Sequence, residues 1–364
     1  MNSTERFLAV FSENERKKLD RIPTFVQYVR DEFIKINEEK FQILDKNDIT
    51  LNYYFKAPLL LGFDAIFFPS FPAVKFKPIK IKDKEGRLVK IGIDGQKVFK
   101  KSEYYEGGHV DSLDTLQKLK NNWIKIKDSK MLNKFLKTCE TSIWKYIYTV
   151  LTVDGIFDRT WRAMGFTNFS KNFHANTKLY VETVNYFYEL TKMDLNLIIN
   201  SNLKRGNVVA ILDDVAYKGR SMISPERWRE DFFPFYKKLN AMLRDAGLIP
   251  IIHTDGDVTD LISLFRETGF VGLQGWEGGC DPFYVSKNFP DFVVIGFGDV
   301  SQVLPYGNYS EIKQHVKMLM NAFKKSRHFM IGPSTVIHEK IPFKNIRIFM
   351  RLALKYGKYS SNGL

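Results

Sequence analysis

The chain has 364 residues, 44% of them hydrophobic, and its 55 Lys and Arg against 41 Asp and Glu give a formal charge of +14 at pH 7. That length and apolar content support a large core, either one big α/β barrel or two ordinary domains, and argue against a mainly disordered chain. Only two cysteines occur, Cys139 and Cys280, in no C-x-x-C pair; this excludes a disulfide framework and a cysteine-rich zinc knuckle, and it fits a reducing cytoplasm.

The opening MNSTERFLAVFSENERKKLDR is charged throughout and lacks the apolar core of a signal peptide. No apolar run approaches the roughly 20 residues that span a bilayer, so no membrane partner is expected. Three strands are predicted in the first half, in DRIPTFV (20–26), GFDAIFFP (62–69) and KYIYTVLTVDG (145–155). Between the last two, IKIKDKEGRLVKIGIDGQKVF has Glu-Gly and Asp-Gly at turns and predicts a β-hairpin insertion at about 75–105, covering one barrel mouth. From about residue 205 short apolar runs alternate with amphipathic stretches. The runs are VVAIL (208–212), LIPII (248–252), FVGLQ (270–274), FVVIGF (292–297) and HFMIG (328–332). Strands of this length, buried on both faces and separated by helices, imply a parallel sheet. Ser224-Pro225-Glu226 starts a helix with an N-cap, an N1 proline and a first-turn acid, while Gly247 and Gly269 end helices. The count of eight strands predicts an α/β fold, a (β/α)8 TIM barrel with an N-terminal helical segment and the hairpin insertion, as a single domain over 1–364.

In such a barrel the reactive groups stand at the C-terminal strand ends. There the sequence places Asp154 after the third strand, Asp213 and Asp214 after the fourth, and His253-x-Asp255 after the fifth. Glu277 follows the sixth, Asp299 the seventh and Ser334 the eighth. Imidazole and carboxylate two residues apart can face one centre, so His253 and Asp255 form a candidate acid/base or metal pair. Adjacent acids point to opposite sides, so at least one of Asp213 and Asp214 faces the mouth. Trp276, with Trp161 and Phe297, is a candidate wall for a substrate, although core packing is the stronger reading of each. Cys280 reads as a small buried residue, and His109 as a loop histidine. The lysines are scattered rather than gathered into an arm, which favours a solvated surface over nucleic-acid binding and leaves room for an acidic protein partner or an anionic small molecule.

Several segments carry a resemblance. LDDVAYKGRSMISPERWREDFFPFYKKL, IIHTDGDVTDLISLFRETG, GFGDVSQVLPYGNYSEI and IGPSTVIHEKIPFKNI, with ERFLAVFSENERKKLDRIPTF and GIFDRTWRAMGFTNF before them, resemble the uroporphyrinogen decarboxylase superfamily, which includes corrinoid-dependent methyltransferases. The resemblance covers nearly the whole chain and implies the same barrel. Decarboxylases of the family use R-Q-A-G-R, F-S-D and G-H-G segments. Here they read FVQYVRDEF, FFPSFP and IGPST: Arg30 alone remains as an anion contact, the acid is missing, and Pro333 replaces the histidine. Methyltransferases acting on coenzyme M bind zinc through H-x-C and a second cysteine; His253 matches, but Asp255 and Ser334 replace the thiols, leaving an oxygen and nitrogen site of His253, Asp255 and Glu277 with zinc as the candidate metal. The combination best resembles the substrate-side methyltransferases, including O-demethylases of methoxylated aromatics. It implies a small-molecule methyl donor and a partner corrinoid (cobalamin) protein, with His253, Asp213, Asp214 and Asp255 catalytic and Asp154, Glu277, Trp276, Asp299 and Ser334 toward substrate. A porphyrin-forming decarboxylase, a non-catalytic barrel subunit and a homodimer stand as alternatives.

Overall fold

The computed structural model describes residues 1–41, 51–68, 71–82, 86–99, 107–126 and 129–359, with backbone alone at 51–53 and 99. Eight parallel strands form the central sheet: β1 (Phe25–Val26), β2 (Ala65–Phe68), β3 (Tyr148–Asp154), β4 (Val208–Leu212), β5 (Ile249–Thr254), β6 (Gly272–Gly275), β7 (Val293–Gly298) and β8 (Phe329–Pro333). Each pairs with the next in chain order. The sheet closes on itself through parallel bridges Thr24–Ile331 and Val29–Ile337. All residues of β7 and β8 are buried, as expected of strands covered on one face by helices and on the other by the barrel interior.

All eight predicted strands are present. The first is the shortest, because Pro23 lacks an amide proton and Asp20 and Arg21 are drawn into an ion network before the ladder begins. That network centres on Asp64, just before β2. Its carboxylate accepts from Arg6 at 2.7 Å, from Arg21 at 2.6 Å and from the Thr24 amide at 2.9 Å. Arg6 belongs to the first helix, Ser3–Ala9, so the predicted N-terminal helical segment is pinned across the N-terminal end of the barrel.

Helix punctuation follows the sequence with one change. Ser224 caps Pro225–Asp231, and Gly269 closes Ile262–Thr268 at φ 102°. The long amphipathic stretch after β4, however, breaks at Phe232 into Pro225–Asp231 and Phe233–Asp245, because Pro234 fits only the first turn of a new helix. Among the described residues, no helix is long and apolar enough to cross a membrane.

The insertion holds more than a hairpin. Ile79–Lys82, Leu88–Ile91 and Lys97–Phe99 form a three-stranded antiparallel sheet, and Val74–Phe76 pairs with Trp123–Lys125. Residues 83–85 and 100–105 of the predicted hairpin lie outside the described residues. The insertion rests on the helix after β3, Phe157–Met164. Asp94 meets Arg159 at 3.0 Å, and Gly108 lies so close to the Ala163 carbonyl that a Cβ there would stand 2.2 Å from it. His109 sits in this seam, its amide bonded to the Gly95 carbonyl.

Candidate active site

The polar strand ends sort into two groups: those that meet at the mouth and those consumed by the scaffold. Asp214, His253 and Asp255 meet. One ligand atom from each lies within 4.8 Å of the others. β5 ends through Thr254 with His253 buried, and its Nε2 is 3.8 Å from Asp214 Oδ1. The same Asp214 oxygen accepts the Asp255 amide at 3.1 Å, which holds the two loops in register. Gly275, at φ 133°, ends β6 beside them. A side chain there would stand 2.1 Å from the Thr254 carbonyl, so only glycine lets β5 and β6 approach this closely.

Two glutamines bracket His253. Its Nδ1 faces Gln274 Oε1 at 2.5 Å and the Gln274 carbonyl at 3.1 Å. Both are acceptors, so Nδ1 carries a proton, and Nε2 is left toward the Gln27 side-chain amide at 3.5 Å and Asp214. Gln274 donates in turn to the Ser334 carbonyl at 2.8 Å, and Gln27 accepts from Thr335 at 2.7 Å. Phe67 of β2 packs edge-on against the imidazole, ring centroids 5.9 Å apart. The outcome is an imidazole fixed from both sides, with Nε2 directed at the acidic mouth.

Asp255 is the electrostatic centre. Burial pushes its carboxyl up to about 7; His253 pulls it down, while Asp214 and Glu277 push it further up. Its Oδ1 is shielded from solvent and has no hydrogen-bond partner among the described residues, and the same is true of Ser334 Oγ on the neighbouring β8 loop. A carboxyl in this state exchanges a proton near neutrality.

Asp213 is not part of this cluster. Its carboxylate turns outward and accepts the backbone amides of Asp158 at 2.7 Å and Phe157 at 3.3 Å, together with the Tyr236 hydroxyl. It therefore caps the helix after β3, and Gly155 leaves the space that a side chain would take from it. Burial raises it to about 6 against those three donors. The expected catalytic role of Asp213 is corrected to a structural one; of the two adjacent acids, Asp214 faces the mouth.

Other expected residues serve the scaffold. Asp154 pairs at 3.1 Å with buried Arg159, which also holds Asp94 and Asp194. Asp299 accepts the amides of Ser301 and Gln302, each at 2.8 Å, and so caps the turn after β7. Trp276 is 3% exposed, stacks on Phe297 at 5.1 Å and donates to the Leu273 carbonyl, so it is core and not a substrate wall. Glu277 accepts the Ser301 hydroxyl and acts on Asp255 through its charge; in the cluster with ligand geometry its expected place is taken by Asp214. Cys280 is buried with its thiol pushed up to about 11 by burial, unsuited to metal binding as a thiolate. Arg30 precedes the helix Asp31–Ile36 and lies 4.0 Å from Glu339. Sequence reasoning missed Gln27, Gln274 and Thr335. Only the terminal Gln of the run FVGLQ offered a sign of them.

Comparison with known proteins agrees with this architecture. The methyltransferase from Methanosarcina mazei is 15% identical and aligns over 98% of this chain and 99% of that one, with a TM-score of 0.63. A sugar phosphate isomerase/epimerase from Parabacteroides distasonis is 10% identical over 93% and 96% of the two chains, with a TM-score of 0.39. No curated protein matches the sequence. The sequence model described as Uroporphyrinogen decarboxylase (URO-D) matches residues 150–356, from within β3 to the last helix, and so takes in every residue of the Asp214–His253–Asp255 cluster. The chain belongs to the uroporphyrinogen decarboxylase family.

Proposed function

We propose that this barrel is a methyltransferase that moves a methyl group from a small substrate, with a methoxylated aromatic as the candidate, to the cobalt of a corrinoid held by a separate protein. The observation that carries the reading is the Asp255 carboxyl, raised to about 7 by burial and set beside His253 and Asp214. Its support is the family membership and the shape shared with a methyltransferase.

An ether oxygen leaves poorly as an alkoxide, so transfer of its methyl group needs a proton delivered to that oxygen as the carbon–oxygen bond breaks. A Co(I) corrinoid carried by the partner would supply the electron pair that accepts the methyl group. Protonated Asp255 gives its proton to the departing oxygen, and the product leaves as the alcohol or phenol. Burial and the charges of Asp214 and Glu277 disfavour the carboxylate left behind, which promotes its reprotonation against the pull of His253. Gln274 and Gln27 keep the His253 ring oriented with Nε2 toward this exchange.

The porphyrinogen decarboxylase alternative needs cations for a poly-acid substrate. The mouth cluster is acidic, and Arg159 is already engaged by Asp94, Asp154 and Asp194. That arrangement repels a polycarboxylate.

A second reading has its own observation. Asp214, His253 and Asp255 offer one nitrogen and two oxygens at ligand spacing, and the orphaned Asp255 Oδ1 fits a divalent cation such as zinc. A cation there would polarise the ether oxygen in place of the proton. Equilibrium dialysis with zinc separates the two: stoichiometric binding lost in Asp214→Ala favours the cation, and chelator-resistant transfer favours the proton.

The functional test is an absorbance assay with a purified Co(I) corrinoid protein and methoxyaromatics, methylamines, methanol and methylthiols. Methylcobalamin formation with one class is the expected result. Silence across the panel with folded protein contradicts the proposal and favours the non-catalytic subunit.

A further inference from the structure

The insertion sheet has one face that its own register makes unfavourable. In the ladder between Ile79–Lys82 and Leu88–Ile91, Lys80 stands directly opposite Lys90, and Lys82 opposite Leu88. Side chains alternate across a strand, so Lys80, Lys82, Lys90 and Leu88 share one face, and Val98, opposite Lys90, joins them. Val89 and Ile91 point the other way, into the core. All three lysines are exposed, and among the described residues no carboxylate pairs with any of them. Like charges directly across a ladder destabilise a sheet. The surrounding stretch 79–91 carries five cations against two acids.

We propose that this face docks an acidic protein surface, and that the protein is the methyl-accepting partner; the second clause rests on the function proposed above. Placement supports it. The Asp94–Arg159–Asp154 chain ties the insertion to the C-terminal end of β3, next to the strand that leads to Asp214. A partner held on the lysine face is thereby held on an element anchored to the C-terminal end of β3. The composition of the face favours protein over nucleic acid. Its apolar members are aliphatic Leu88 and Val98, whereas nucleic-acid-binding sheets present aromatic rings for base stacking. Ammonium groups around an aliphatic centre complement carboxylates around an aliphatic centre, and such complementarity acts mainly on encounter rate and orientation.

The test uses the full chain and the triple variant Lys80→Glu/Lys82→Glu/Lys90→Glu. A control, Lys287→Glu/Lys325→Glu/Lys344→Glu, changes net charge equally at exposed lysines elsewhere. Fluorescence anisotropy with labelled poly-L-glutamate is expected to show binding weakened about tenfold or more in the first variant and clearly less in the control. Equal weakening in both, or tighter binding of a labelled single-stranded RNA through the same lysines, overturns the proposal. With the corrinoid protein of the transfer assay, the KM for that protein is expected to rise about tenfold in the first variant at unchanged kcat. An unchanged KM contradicts the docking alone. Lysine-dependent poly-L-glutamate binding without any methyl transfer contradicts the function alone.

Discussion

The two ends of the barrel treat a buried carboxylate in opposite ways. At the N-terminal end Asp64 is met by Arg6, Arg21 and the Thr24 amide and hydroxyl. At the C-terminal end Asp255 has a second acid 41 positions earlier, Asp214, as its neighbour, and one of its oxygens is left without a partner among the described residues. The first arrangement satisfies charge and holds the fold. The second stores an unfavourable charge where a proton or a ligand can relieve it. A barrel whose stability and chemistry sit at opposite ends can keep an unsatisfied site without losing its closure.

The largest expected effect breaks the satisfied end. Asp64→Ala takes the shared buried carboxylate from Arg6, which keeps Asp20, and from half-buried Arg21, and should lower unfolding free energy by about 3–5 kcal/mol in a urea titration. His253→Ala, at the other end, should slow methyl transfer by about 10²–10⁴-fold, and because the imidazole is buried and bonded to Gln274 it should also cost about 1–3 kcal/mol in the same titration. The adjacent acids sharpen the contrast. Asp213→Asn weakens the cap on Phe157–Met164 and should cost about 0.5–2 kcal/mol of stability, whereas Asp214→Asn should reduce transfer with the smaller effect on stability.

The pH dependence of stability sharpens the contrast further. Burial raises both Asp213 and Asp255, to about 6 and about 7. The folded state therefore binds more protons than the unfolded state between their ordinary range and those values. Stability from these two groups is complete below about pH 4 and is lost as pH rises through about 6–7. Asp255→Asn should remove part of that decline and stabilise the protein at pH 8 by about 1–3 kcal/mol, read from the same titration at several pH values.

Much of the fold was legible because each barrel strand is a short run of apolar residues between helix signals, a pattern that backbone burial on both faces imposes. The site was legible in part. His253 and Asp255 stood out because charged groups directly after an apolar run must emerge at a strand end. Which of Asp213 and Asp214 turns inward was not legible, since it depends on the Asp213 amide bonding to the His253 carbonyl across the sheet. Trp276 looked available because a glycine-rich turn follows it, but its positive φ of 77° folds the ring back onto Phe297. Gln27 and Gln274 were hidden for another reason. They are separated by the length of the barrel and matter only because curvature brings β1 and β6 to the same imidazole.

The most direct test of the central claim is the pH profile of single-turnover methyl transfer to the Co(I) corrinoid protein, for the unmodified chain and for Asp255→Asn. If Asp255 supplies the proton, the unmodified rate is highest at acidic pH and falls tenfold per unit above about pH 7, while the Asn variant is slow and flat across the same range. Superimposable profiles for the two proteins would contradict the account.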